Sequence, residues 1–152
     1  MKSWNQLPKS LEFREKHLLA IDYGEKVTGT ATFKVNSDPY PLPFTKIIFQ
    51  SQKQLLNEIG SIIENECVDI LIIGIPYLTD GQSTPMTKKI ENFYNKCRTR
   101  FKEIQVFQQD ETLSSFEAEK RMLNSPRYNF KVNPKEIDCL AASIILEDFI
   151  KS

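Results

Sequence analysis

The chain has 152 residues, 20 basic against 20 acidic, with 40% hydrophobic and 26% charged content, which suits a single globular domain with one sizeable core. Its single histidine, His17, and three widely spaced cysteines, Cys67, Cys97 and Cys139, argue against a zinc site, a histidine-based triad or a disulfide framework. Any acid–base or metal chemistry must therefore rest on carboxylates.

Residues 1–16 form an N-terminal extension of loop or short helix. It mixes charges with few apolar residues and lacks the apolar segment of a signal peptide. Residues 17–152 are expected to form the one domain. The longest apolar runs, such as Ile70 to Ile75, are strand-length, so no membrane association and a cytoplasmic location are expected. Leu18 to Ile21 is a short apolar run ending at Asp22 and predicts a strand. Gly24 and Glu25 turn the chain into a second strand over Val27 to Val35, rich in Thr, Val and Phe. Pro39, Pro41 and Pro43 mark a loop before a third strand from Phe44 to Gln50.

The pattern then changes. Ser51 with Gln54 is a capping-box signal, followed by Leu55, Leu56, Ile59, Ile62 and Ile63 at helical spacing. Val68 to Ile75 predicts a strand covered on both faces. Asp80-Gly81 turns, and Thr84-Pro85 opens a helix whose apolar side carries Ile90, Phe93, Tyr94, Cys97 and Phe101. Ile104 to Phe107 is the fifth strand. Ser114 with Glu117 reads as a second capping box, and that helix stops near Asn124-Ser125-Pro126. Asn133-Pro134 opens the last helix, with Asp138 in its second turn. Three hairpin-linked strands followed by alternating helices and strands predict an α/β fold, a mixed five-stranded sheet (βββαβαβα) with helices on both faces. Right-handed crossovers would set the last two strands parallel to the first.

Three acids stand in informative places. Asp22 ends the first strand, Glu111 follows the fifth and Asp138 lies early in the last helix. Converging carboxylates repel, and a divalent cation is the natural relief. Each acid also has an ordinary role open to it: starting a turn, facing solvent from a loop, or complementing a helix dipole. Two segments are locally basic, Lys88 to Lys102 and Lys120 to Lys135. They could track phosphates or be solvated faces. Tyr94, Phe101, Phe107, Tyr128 and Phe130 are read mainly as core packing, with base stacking or an interface as alternatives.

Four stretches carry a family resemblance: Ala20-Ile21-Asp22-Tyr23-Gly24-Glu25-Lys26 continuing to Gly29 and Ala31; Gly74-Ile75-Pro76 with Asp80-Gly81; Asp110-Glu111-Thr112-Leu113-Ser114 followed by Glu117-Ala118-Glu119; and Asp138 with Ala141-Ala142 and Ile145-Leu146. Together, in this order and spacing, they resemble the YqgF/RuvX family of Holliday-junction resolvases and pre-16S rRNA nucleases over residues 18–150. The resemblance implies an RNase H-like fold and a metal-dependent nuclease acting on structured RNA or branched DNA. It implies that Asp22, Glu111 and Asp138 bind Mg²⁺ or Mn²⁺, two ions, with Asp22 bridging. Glu111 and Asp138 would each hold one ion or orient the attacking water.

Lys26, Lys131 and Lys135 are expected to contact substrate, and Gly24, Gly74, Pro76, Asp80 and Gly81 to shape the loops beside the site. Pre-ribosomal particles are candidate partners, and a monomer or a homodimer would serve. Val27 and Thr112 stand where the family carries arginine, and neither can grip phosphate bidentately. That departure motivates a second reading, a non-catalytic nucleic-acid or ribosome-associated module of the same fold. Actin-like and sugar-kinase phosphotransferases also open with D-x-G, but they need a second phosphate loop and a second domain.

Overall fold

The structure is a computed structural model and describes residues 4–77, 80–111 and 113–152. Strands β1 (His17–Asp22), β2 (Val27–Lys34), β3 (Leu42–Ile48), β4 (Ile70–Ile75) and β5 (Gln105–Asp110) form one sheet in the order β3-β2-β1-β4-β5. The first three are antiparallel neighbours, and β4 and β5 run parallel to β1. This is the expected mixed arrangement. β1 is the central strand with β4 beside it, and Leu18 to Ile21 and Leu71 to Ile73 are wholly buried. Their near-continuous apolar sequence follows from having both sheet faces covered.

The faces are covered by different helices. On one side α2 (Gln52–Asn65) and α3 (Pro85–Arg100) bury Leu55, Ile59, Ile90, Phe93 and Cys97 against Leu19, Ile21, Leu71 and Ile73. On the other, α5 (Ile137–Lys151) lays Ala142, Ile145, Leu146 and Phe149 over Leu18, Ala20, Ala31 and Phe33. Helix α4 (Ser114–Leu123) packs outside α5 through Ala118, against Ala141 and Ile144. Arg121 of α4 forms a two-pronged ion pair with Glu147 of α5, at 2.7 and 2.8 Å. The segment before β1 includes the short helix α1 (Pro8–Glu12). Trp4, Leu7 and Phe13 dock it on the α5 side of the core, and Phe13 stacks on Phe149 with ring centroids 6.0 Å apart.

The boundaries differ from the sequence expectation in places, each for a local reason. β3 begins at Leu42, ahead of the expected Phe44, because an edge strand tolerates Pro43. Ser51 caps α2 as expected, but Gln54 returns its side chain to the Gln50 amide rather than to that of Ser51. The capping box expected of Ser114 and Glu117 does not form. Leu113 holds the cap position without a side-chain bond, and the Ser114 hydroxyl turns to Glu111 instead. The last helix starts at Ile137, after a turn in which the Asn133 side chain accepts from the Lys135 amide. Asp138 is therefore in its first turn, not its second.

Candidate metal centre and active site

The parallel strands β1, β4 and β5 end at the same edge of the sheet, where open α/β sheets place their sites. Asp22 is the last residue of β1 and is partly exposed. The β4–β5 ladder runs to the pair Ile75 and Asp110 and is continued by the Glu111 amide, which donates to the Ile75 carbonyl at 3.0 Å. That step fixes Glu111 beside the end of β4, with its side chain turned inward and only 8% exposed. Gly74 makes the room: a methyl group there would lie 3.0 Å from Glu111 Cδ and 2.5 Å from Ile145 Cδ1.

The Asp22 and Glu111 carboxyls lie close enough together to share a proton. The Ser114 hydroxyl reaches Glu111 Oε2 at 3.2 Å. Burial holds both carboxyls above the ordinary range, and the neighbouring Asp22 charge pushes Glu111 up further. Asp138 approaches from the other side, at the start of α5. Its main chain lies on Gly29 of β2, where a methyl group would sit 2.1 Å from the Asp138 carbonyl oxygen. The Asp138 charge is felt at Asp22. Burial raises Asp138 as well, and Lys46 on β3 pulls it back. Asp22 and Glu111 are thus in contact while Asp138 stands apart on the β2 side. Among the described residues, no set of three acid, histidine or cysteine side chains closes to the spacing of one ion's ligands.

The donor set is all oxygen, which suits Mg²⁺ or Mn²⁺ rather than a softer metal. Two buried carboxyls held face to face are also what a hard cation would relieve. Among the described residues, neither Asp22 nor Glu111 forms an ion pair with a lysine or arginine that could already do so.

The expected loop-shaping residues have distinct positions. At Gly24 a side chain would collide with the Val27 carbonyl oxygen, 2.0 Å from the position of its first carbon. The Pro76 carbonyl accepts from Thr87 Oγ1, tying the end of β4 to the cap of α3. Asp80 Oδ1 accepts from the Gln82 amide at 3.0 Å, and Gly81 takes a left-handed φ of 85°. Of the expected substrate lysines, all three are exposed. Lys135 borders a cleft next to Asp138, while Lys26 contributes its carbonyl to the Phe49 amide. Thr112 lies outside the described residues, and Val27 is half-buried at the start of β2.

Sequence reasoning missed Ser114 as a Glu111 partner, because its position before an apolar helix reads as a cap. It also missed Lys46, whose strand gives no hint that it faces Asp138. Tyr94, Phe101 and Phe107 do pack against the core. Phe130 does not: it is 59% exposed on a turn with φ 58°. Tyr128 lines the cleft beside Asp138.

Comparison with known proteins agrees with this architecture. A family model described as "RuvX: Holliday junction resolvase" matches residues 16–152. A Bacteroides thetaiotaomicron protein named "Putative pre-16S rRNA nuclease" is 32% identical over 136 residues, covering 89% of this chain and 96% of its own length. A protein of the same name from Lawsonia intracellularis is 33% identical over 132 residues, covering 87% and 91%. Among solved structures, Thermus thermophilus RuvC in complex with a Holliday junction superposes with a TM-score of 0.58 at 9% identity, covering 88% of this chain and 94% of that one. The yeast mitochondrial Holliday junction resolvase gives 0.53 at 11% identity, covering 90% and 78%. At these identities the solved structures bear on the fold, which is RNase H-like. On the strength of the family match over nearly its whole length, the chain belongs to the RuvX family of Holliday junction resolvases.

Proposed function

We propose that the chain is a divalent-metal-dependent nuclease that hydrolyses phosphodiester bonds in structured nucleic acid, with Asp22, Glu111 and Asp138 as its metal-binding and catalytic acids. The 5′ end of precursor 16S rRNA is the favoured substrate, after the names of the relatives, and the branched DNA of a Holliday junction is the other. The observation that carries the reading is the approach of the Asp22 and Glu111 carboxyls at the carboxyl edge of the sheet, with the charge of Asp138 on α5 reaching Asp22. A pure binding module gains nothing from acids gathered where a phosphate backbone must approach.

Bound Mg²⁺ or Mn²⁺ would supply Lewis-acid stabilisation of the phosphorane-like charge and an activated water for in-line displacement. The protein's own contribution is positional. Asp22, which interacts with Glu111 and feels the Asp138 charge, would hold metal together with both. Glu111 is held rigidly by the β4 carbonyl, by Ser114 and by the space over Gly74. Asp138, partly exposed and near Lys46, is the acid most open to water and to the scissile phosphate. Lys26, Lys131 and Lys135 are exposed cations available to flanking phosphates.

The test is cleavage of a labelled 5′-extended rRNA precursor, a mobile four-way DNA junction and simple single strands, with Mg²⁺ or Mn²⁺. Asp22→Asn keeps the shape and removes the charge. Metal-dependent cutting that falls at least ~100-fold in the variant supports the reading, that factor being about 3 kcal/mol of barrier. No cutting of any substrate, with binding equal in both proteins and indifferent to metal, leaves the non-catalytic module.

A further inference from the structure

Beside the acid cluster, on the β2–β3 side, lies a cleft of about 410 Å³ between the edge strand and the turn that precedes α5. That volume is in the range of sites that take a small organic ligand. Its walls combine three aromatic rings, Tyr40, Phe44 and Tyr128, with three cations, Lys46, Arg127 and Lys135. Tyr40 is 51% and Phe44 43% exposed, an expensive way to display large rings unless they meet something. The acid in the wall, Glu136, accepts from the Asn133 side-chain amide at 2.7 Å and keeps its charge, so three cations against one anion leave the cleft net positive.

The cleft is shaped by local backbone devices. The β2–β3 register shifts between Gly29 and Ala31, so that Thr30 faces both Phe44 and Thr45. The Thr30 hydroxyl pins this bulge, donating to the Thr45 carbonyl at 2.5 Å and accepting from the Thr45 amide at 3.0 Å. Bulges bend an edge and re-aim its side chains, and they gather next to active sites. Across the cleft, Asn129 and Phe130 both take left-handed φ values, 54° and 58°, closing a tight turn behind Arg127 and Tyr128. The Arg127 guanidinium lies 5.6 Å from the Tyr128 ring centroid. Lys46 and Cys139 join the cleft to the site, since Cys139 follows Asp138 and the Lys46 charge acts on Asp138.

We propose that this cleft is a track for a single-stranded segment of nucleic acid, whose bases stack on Tyr40, Phe44 and Tyr128 while Lys46, Arg127 and Lys135 hold its phosphates on the way to the acids. Sequence-tolerant stacking flanked by basic side chains is how proteins hold single strands. An added protein strand is the poorer occupant, because Pro43 and Lys46 blunt this edge against pairing. The proposal rests on the nuclease reading for its purpose, but its measurement is separate.

The test is equilibrium binding of labelled oligouridine and oligothymidine of about 12 nucleotides, and of a blunt duplex, to the full chain in EDTA, followed by fluorescence anisotropy. Tyr40→Ala and Phe44→Ala each weaken single-strand binding by about 5- to 100-fold and leave the blunt duplex nearly unaffected. Phe44→Trp retains affinity, whereas Phe44→Leu, which keeps the apolar bulk without the ring face, loses it. Arg127→Ala flattens the slope of log affinity against log salt by about 0.7. Binding of Phe44→Leu like the unaltered chain, or an equal loss on the duplex, overturns the track. Cleavage without any single-strand binding also overturns it while sparing the nuclease reading. Single-strand binding that needs these rings, without cleavage, supports the track and counts against the nuclease.

Discussion

Gly29 and Asp138 are in backbone contact: the glycine Cα lies under the Asp138 carbonyl, and a methyl group on it would come within 2.1 Å of that oxygen and 2.3 Å of the carbonyl carbon. The close approach of β2 to the first turn of α5 is what brings Asp138 to the same sheet edge as Asp22 and Glu111. Gly29→Ala must therefore push the start of α5 outward. The expected result is a loss of about 1–3 kcal/mol in stability from overpacking, with metal-dependent cleavage falling by a larger factor than the stability loss implies. Urea melts and cleavage rates on the same preparation check it. Activity at the unaltered level would show that Asp138 is not needed where it stands.

Ser114 donates to the carboxyl of Glu111 at 3.2 Å and is itself buried. Partners of this kind orient a metal-binding carboxylate, and their loss typically costs ~10- to 100-fold in metal affinity. Ser114→Ala should shift the Mn²⁺ concentration needed for half-maximal cleavage upward by that order, with little change in the rate at saturating metal. Ser114→Thr, which keeps the hydroxyl, should restore most of it. If Ser114→Ala leaves the Mn²⁺ dependence where it was, the hydroxyl only fills space.

The metal-free acid pair has a definite pH signature. Burial holds Asp22 and Glu111 above their unfolded values; Glu111 pulls Asp22 part of the way back and the Asp138 charge adds to its rise, while the Asp22 charge pushes Glu111 up further. In that window the folded state keeps protons that the unfolded chain has released, so their contribution to stability is complete below the unfolded pKa and is lost as pH rises towards the folded one. In EDTA, thermal stability should therefore fall from about pH 4 upward, the Asp22 contribution being lost by about 6 and that of Glu111 by about 10. Mn²⁺ should stabilise the protein more at the upper end, because a cation replaces the retained protons. Differential scanning fluorimetry reads both effects. A metal-induced shift independent of pH would count against ions binding at these two acids.

Much of this was legible in the sequence, and the reasons are physical. Strand and helix types follow from periodicity, and Asp22, Glu111 and Asp138 announce themselves by standing where strands end or a helix begins. The contact between Asp22 and Glu111 was not legible, because it depends on the β4–β5 ladder extending one residue beyond β5. Ser114 looked like a helix cap because local sequence cannot show that a buried carboxyl three residues earlier competes for its hydroxyl. Lys46 and Phe44 were hidden for a related reason: an edge strand with a bulge breaks the two-residue alternation from which facing is read. Phe130, one of five aromatics of which most were expected in the core, is exposed, because its turn takes a backbone conformation that composition does not reveal.

The Arg121–Glu147 pair offers a control distant in function from the acids. The two side chains join α4 to α5 with bonds of 2.7 and 2.8 Å, and their exposures are 38% and 11%. Glu147 has little water to fall back on, so removing its partner leaves a poorly solvated charge, whereas Arg121 is open enough to keep part of its hydration. Arg121→Met should destabilise the fold by about 1–3 kcal/mol, less than the loss at a fully buried pair. Glu147→Leu together with Arg121→Met should recover part of that, since an apolar pair of similar size avoids the desolvation altogether. Denaturant melts of the two single variants and the double give the coupling directly. At saturating metal and temperatures well below melting, cleavage by all three should stay close to that of the unaltered protein, because Arg121 and Glu147 lie in the later turns of α4 and α5, away from Ser114 and Asp138 in the first turns. A double variant no more stable than Arg121→Met would mean that the ion pair is not what holds α4 in place.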